Sequence, residues 1–231
     1  MKRNGIWLLA SFTIALAGCS RGIEQYTLPN QVSDFASLYE SNCAGCHGSD
    51  GRSGAARPLN DPVFLALIGK EKLRDTIAMG VPQTPMPAFA LDAGGTLTNR
   101  QIGILADQME ARWSRPQDLA GATLPPYSAE PGDVKHGDVV FHSYCASCHG
   151  EDGTGGAKGG SVISPAFLAL VSDQSLRTTV IAGRTDLAVP DWRSDSPGRP
   201  MTPQEISDVV AWISAHRATT GNPEKGGTSL P

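Results

Sequence analysis

Aromatic residues make up only 6% of this 231-residue chain and charged residues only 18%, against 40% hydrophobic residues. So sparse an aromatic set gives small domains a thin core, and domains of that kind usually need disulfides, a metal or a large cofactor for stability. There is no basic run and no stacked-aromatic pattern, and 23 acidic residues outnumber 19 Lys and Arg. That balance argues against nucleic acid as a partner and favours one with a positive docking patch. Alternating strand patterns are also missing, so the expected fold class is all-α. No hydrophobic run reaches the roughly 20 residues a membrane-spanning helix needs.

What the N-terminus does have is Met1-Lys2-Arg3, an apolar run from Ile6 to Ala17, and then Leu16-Ala17-Gly18-Cys19. A basic start, a short apolar segment and small residues before a cysteine form an export signal. The last four residues resemble a bacterial lipobox, which implies cleavage before Cys19, diacylglycerol on its thiol and acylation of the new amino group. Several acyl chains anchor stably where one binds only marginally. The alternative is an ordinary secretory signal followed by a stray thiol, a liability outside the cytoplasm. Removing Lys2 and Arg3 from the 19 basic residues, against 23 acidic ones, takes the net charge from −4 to −6.

The rest of the chain is an internal repeat. Cys43-Ala44-Gly45-Cys46-His47-Gly48 recurs as Cys145-Ala146-Ser147-Cys148-His149-Gly150, displaced by 102. Asp61 to Leu67 recurs as Ser164 to Leu170 at 103, so the second repeat gains one residue in its glycine-rich loop. At the same displacement Leu73-Arg74 matches Leu176-Arg177, Gly80 matches Gly183, Pro87 matches Pro190 and Phe89 matches Trp192, and one more insertion brings Thr98 onto Thr202. Each repeat reads as helix, cysteine motif, glycine-rich loop, short helix, proline-rich loop and closing helix. Thr98-Asn99-Arg100-Gln101 and Thr202-Pro203-Gln204-Glu205 are capping boxes that start the closing helices. Ile206, Val209, Val210 and Ile213 then follow at helical spacing.

Cys-x-x-Cys-His is the attachment pattern of c-type haem: the two thiols add across the porphyrin vinyl groups and the adjacent histidine binds iron. A three-residue step from the end of a helix lets both sulfurs reach one edge of the macrocycle while the next side chain turns beneath the metal. Two such motifs predict two covalently bound haem c groups, held by Cys43, Cys46 and His47 and by Cys145, Cys148 and His149. A zinc tetrathiolate or a redox disulfide could also use two Cys-x-x-Cys pairs, but neither requires a histidine directly after each.

These motifs, within a repeat covering residues 33–217, resemble the class I cytochromes c as a tandem pair, similar to periplasmic dihaem cytochromes and to cytochrome subunits of quinol-oxidising or dehydrogenase complexes. The resemblance implies two such domains at 30–115 and 132–218, joined by a proline-rich linker at 116–131. Residues 1–18 are then a lipoprotein signal peptide, 19–29 a tether and 219–231 a disordered tail. It also implies a distal Met-Pro loop, matched by Met86-Pro87, so that Met86 joins His47 as an iron ligand of raised reduction potential. In the second repeat Met86 falls on Val189, which cannot coordinate. Met201 aligns with Leu97 before the helix cap, a staple position against Ile206, although its flexible stem also allows it to swing in as a substitute ligand. Gly137 and Phe141 stand where the first helix of such domains crosses the last. Phe35 occupies the place of Gly137 in repeat one, so that crossing is expected to be wider or rotated. His136, His142 and His216 read as surface histidines.

The expected function is electron carriage, with no catalytic residues. The redox partners would be a quinol-oxidising complex, a dehydrogenase, a terminal oxidase or a soluble cytochrome. The expected setting is exported and lipid-anchored to a bacterial membrane, facing the periplasm or cell exterior. The competing readings are a dihaem peroxidase and a gas-binding protein with an open second haem.

Overall fold

The computed structural model describes residues 27–82, 84–194 and 197–217. The signal peptide, Cys19, all but the end of the tether, and the tail at 219–231 lie outside the described residues. Among the described residues the chain is helical, with three isolated β-bridges and no strand. No helix there is long and apolar enough to cross a membrane.

Repeat one runs through α1 (Phe35–Asn42), α2 (Ala44–His47), α3 (Pro62–Met79) and α4 (Asn99–Trp113). Repeat two runs through α5 (Val134–Tyr144), α6 (Ala146–His149), α7 (Pro165–Leu168), α8 (Asp173–Ala182) and α9 (Pro203–Ala215). The single short helix expected after each glycine-rich loop is in fact two. In repeat two Ser172 ends the gap between α7 and α8 as an N-cap, its hydroxyl accepting from Ser175 N–H. In repeat one the equivalent residue is Gly69, whose φ of +65° breaks α3 without separating its halves.

Both capping boxes form. The Thr98 and Thr202 hydroxyls accept from the N–H groups of Gln101 and Glu205, whose side chains reach back to the cap N–H. The helices they start bury matching faces: Ile102, Leu105, Ala106 and Met109 in α4, and Ile206, Val209, Val210 and Ile213 in α9. Each large apolar side chain there contributes roughly 1.5–3 kcal/mol by leaving water.

The two helix crossings differ as the Phe35–Gly137 exchange predicts. Gly137 lies so close to α9 that a Cβ would fall 2.1 Å from the Asp208 carbonyl oxygen. There Phe141 stacks on Trp212 at 4.3 Å between ring centroids. In repeat one the gap is filled by aromatics, with Phe35 5.9 Å and Tyr39 5.4 Å from Trp113. Trp113 is not the sequence counterpart of Trp212, yet each ring lies over the equivalent loop glycine, Gly51 or Gly153. The crossing in repeat one is thus closed by a tryptophan from further along the helix.

The linker begins with a 3-10 turn at Pro116–Leu119 and is docked rather than free. Arg177, 1% exposed, donates from Nη2 to the Pro126 carbonyl at 2.9 Å and from Nη1 to Ser207 Oγ at 3.0 Å. One buried guanidinium therefore ties linker, α8 and α9 together.

Candidate functional site

The two cysteine motifs have the same construction. Cys43 closes α1 and Cys145 closes α5, their N–H groups donating to the Tyr39 and Phe141 carbonyls, and the next four residues wind one further turn. Gly48 and Gly150, both at φ +79°, end those turns. Each motif thereby presents two thiols and one imidazole from a single turn of backbone.

The four motif cysteines form no disulfide with one another. Burial pushes Cys43 and Cys145 up to about 12, so both are neutral. Among the described residues no three His, Cys, Asp or Glu side chains converge as a metal-binding cluster, so the two pairs do not assemble the tetrathiolate a shared zinc would use.

Each motif histidine is fixed by a backbone carbonyl that sequence reasoning did not single out. His47 Nδ1 donates to the Arg57 carbonyl and His149 Nδ1 to the Gly160 carbonyl, both at 2.7 Å. Arg57 and Gly160 are displaced by 103, the same shift that relates the rest of the loops, and that regularity was the available signal. The bond sets the tautomer: with Nδ1 carrying the proton, Nε2 keeps its lone pair for a metal. Burial holds the His47 pKa below its ordinary value, which favours the neutral ring. The glycine-rich loops pack tightly on these histidines. A Cβ on Gly159 would lie 2.7 Å from His149 Nδ1, and one on Gly54 would lie 2.2 Å from the Cys46 carbonyl oxygen. Two thiols and an imidazole with a free Nε2 are the donor set that covalent haem attachment requires, and the residues fit that group.

Met86 lies half-buried in the proline-rich loop after α3. Its carbonyl accepts from Val81 N–H at 3.1 Å and its N–H donates to Thr84 Oγ1 at 3.3 Å. Met201 is 6% exposed and its N–H donates to the Trp192 carbonyl at 2.9 Å, just as Leu97 N–H donates to the Phe89 carbonyl at 2.8 Å. The structure therefore seats Met201 in the place of Leu97.

The remaining histidines all have partners. His136 is half exposed, but its Nδ1 lies 2.7 Å from Oδ2 of Asp208, a carboxylate only 2% exposed that also accepts from Asp133 N–H and Gln204 Nε2. This buried acceptor was not foreseen; its signal, an acid on the apolar side of α9, is weak. His142 bonds the Asp138 carbonyl and faces Glu151, and its pKa is raised. His216 bonds the Trp212 carbonyl.

The family described as cytochrome c oxidase, cbb3-type, subunit III matches residues 30–107 and 132–213, one segment per repeat. Among curated proteins, the cbb3-type cytochrome c oxidase subunit FixP of Rhizobium meliloti (strain 1021) is 29% identical over 164 residues, 66% of this chain and 54% of that protein. FixP of Sinorhizobium medicae (strain WSM419) is 34% identical over 139 residues, 56% of this chain and 43% of that protein. CcoP of Cereibacter sphaeroides (strain ATCC 17023) is 26% identical over 188 residues, 77% of this chain and 58% of that protein. The chain spans about half the length of the curated relatives it matches. Matched over both repeats and more than half its length, the chain belongs to the family of subunit III of cbb3-type cytochrome c oxidase and is built as two tandem cytochrome c domains.

Proposed function

We propose that this chain is an electron-transfer module with two covalently bound haem c groups, one attached through Cys43 and Cys46 and the other through Cys145 and Cys148. His47 and His149 would each bind iron through Nε2, and Met86 would add its thioether in repeat one. The observation that carries this reading is the shared geometry of the motifs: thiol, thiol and imidazole on one helical turn, with Nδ1 bound to a carbonyl and Nε2 left available. Haem iron supplies a one-electron ferric–ferrous couple, and a methionine thioether favours the ferrous form.

The chain's own residues hold and tune. The Arg57 and Gly160 carbonyls orient the histidines and raise their basicity as ligands. The hydrogen bonds at Met86 O and N fix the loop that carries the thioether. Partners follow from the relatives, whose names assign them to cbb3-type oxidases: a terminal oxidase is the acceptor assembly this reading favours. The acidic balance suits a positive docking patch there. Lipid on Cys19 would tether the module to a bacterial membrane, facing the periplasm or cell exterior.

Haem counting tests the reading. After denaturation and acid-acetone extraction the chain should retain two haems, and one when Cys145 and Cys148 are both replaced by alanine. Extraction that strips both from the wild type would rule out thioether linkage. For the tether, Cys19→Ala should move the protein from the membrane to the soluble fraction, and retention of the variant on membranes without detergent would refute lipidation.

A further inference from the structure

The distal loops of the two repeats share backbone hydrogen bonds at matching positions. Val81 N–H donates to the Met86 carbonyl at 3.1 Å, and Arg184 N–H to the Val189 carbonyl at 3.1 Å. Phe89 N–H donates to the Ala78 carbonyl at 3.1 Å, and Trp192 N–H to the Ile181 carbonyl at 3.1 Å. Gly80 (φ +68°) and Gly183 (φ +70°) open the loops in the same conformation, and a Cβ on either would strike the same peptide: Met86 O and Pro87 C, or Val189 O and Pro190 C. Val189 thus occupies the backbone position of Met86 by geometry, and an isopropyl group has no lone pair to give.

No other donor in the described part of that loop takes over. Arg184 is occupied by Asp186, at 2.9 and 2.6 Å. Met201 is held in the core by its bond to Trp192, in the place where repeat one needs only leucine. His136 and His142 stand on α5, the helix leading into the proximal motif, each with its own partner. Repeat two would therefore hold haem iron through His149 alone, with a valine at the position where repeat one has a methionine.

From this we infer that repeat two is a binding site for a small neutral diatomic ligand that accepts electron density from ferrous iron, with Val189 in place of the displaced thioether. The inference rests on the proposed attachment of haem through Cys145, Cys148 and His149. A valine there brings no hydrogen-bond donor and no charge, which suits an uncharged ligand such as carbon monoxide or nitric oxide rather than an anion. One chain would then hold a closed electron-transfer centre and an open, lower-potential one.

The test uses the purified full chain, reduced with dithionite and titrated with carbon monoxide, after the haem count has shown two covalent haems. A count of one or none would refute the underlying attachment and, with it, the inference. With two haems present, the expected result is one carbon monoxide per chain, lost in the Cys145→Ala/Cys148→Ala variant and unchanged in Met201→Leu. Val189→Met should abolish gas binding and add a second low-spin signal in the magnetic spectrum. Two low-spin haems with no carbon monoxide bound in the wild type would overturn the inference. Gas binding gained only in Met201→Leu would identify Met201 as the ligand instead.

Discussion

Arg57 Nη2 donates to Thr179 Oγ1 at 2.6 Å, across the boundary between the two repeats. The same guanidinium reaches the Gly183 carbonyl at 3.4 Å, while the backbone carbonyl of Arg57 receives the His47 Nδ1 proton. Beside it Thr185 Oγ1 donates to Asp61 Oδ2 at 3.0 Å and Arg52 Nη2 donates to Thr185 Oγ1 at 3.1 Å. The loop behind the first proximal histidine is thus docked onto α8 and the start of the distal loop of repeat two. Gly160, the counterpart of Arg57, has no side chain with which to return the contact.

Arg57→Ala should separate these two roles. The carbonyl that orients His47 survives, so the low-spin spectrum of the first haem is expected to be unchanged. The junction loses two hydrogen bonds, one to a hydroxyl, worth about 2 kcal/mol together. Thermal unfolding followed by circular dichroism should show a lowered midpoint and a loss of cooperativity between the repeats. A single transition at the wild-type midpoint would show that the junction contributes nothing.

Much of this architecture is legible in the residues themselves. The displacement of 102 to 104, the two capping boxes and the apolar spacing of α9 place the motif turns and the closing helices, because caps and periodicity are local properties. What the sequence hides is tertiary. Trp113 and Trp212 are out of register, yet both cover an equivalent glycine, because a phenylalanine ring stands in α1 where Gly137 stands in α5. Arg177 reads as one surface arginine among several until Pro126 and Ser207 are brought to it. Proline content reads as a semi-extended linker, and only folding shows it docked.

The two crossings should respond in opposite ways to changes of side-chain size. Gly137→Ala places a Cβ 2.1 Å from the Asp208 carbonyl oxygen, where backbone must move, and overpacking of that kind costs about 1–3 kcal/mol. Phe35→Ala instead empties a partly exposed aromatic site and should cost roughly 2 kcal/mol, below the loss for a fully buried ring. Chemical denaturation of each variant measures both. A Gly137→Ala protein as stable as wild type would mean that the α5–α9 approach is looser than described.

The Gly159 contact gives a spectroscopic prediction. Gly159→Ala puts a methyl group 2.7 Å from His149 Nδ1 and 2.8 Å from Cε1, while the backbone there has no positive φ that alanine would strain. The imidazole must tilt or lose its bond to Gly160, which weakens its orientation as a ligand. The second haem alone should show altered magnetic resonance and a shifted potential in a redox titration, with the first haem as internal reference. Equal shifts at both haems, or none, would contradict the assignment.

Acid should weaken the closing-helix cap of repeat two and spare that of repeat one. Glu205 closes the α9 capping box through Thr202 N–H at 2.8 Å and receives Arg199 Nη2 at 2.5 Å. Those bonds, the one from Arg199 first, lower its pKa from 4.5 to about 2. The corresponding residue of α4 is Gln101, whose amide makes the same cap at 3.0 Å and does not titrate. Because the folded carboxyl binds its proton less readily than the unfolded one, the stability it adds is fully present above pH 4.5 and is lost as pH falls towards about 2. Arg199 is 54% exposed, so solvent screening reduces the contribution to about 1 kcal/mol. Glu205→Gln converts the cap of repeat two into that of repeat one. It should lower the unfolding midpoint slightly at neutral pH and flatten the decline between pH 4.5 and about 2 relative to wild type. Thermal melts across that range decide the matter: parallel declines in variant and wild type would show that the acid sensitivity lies elsewhere.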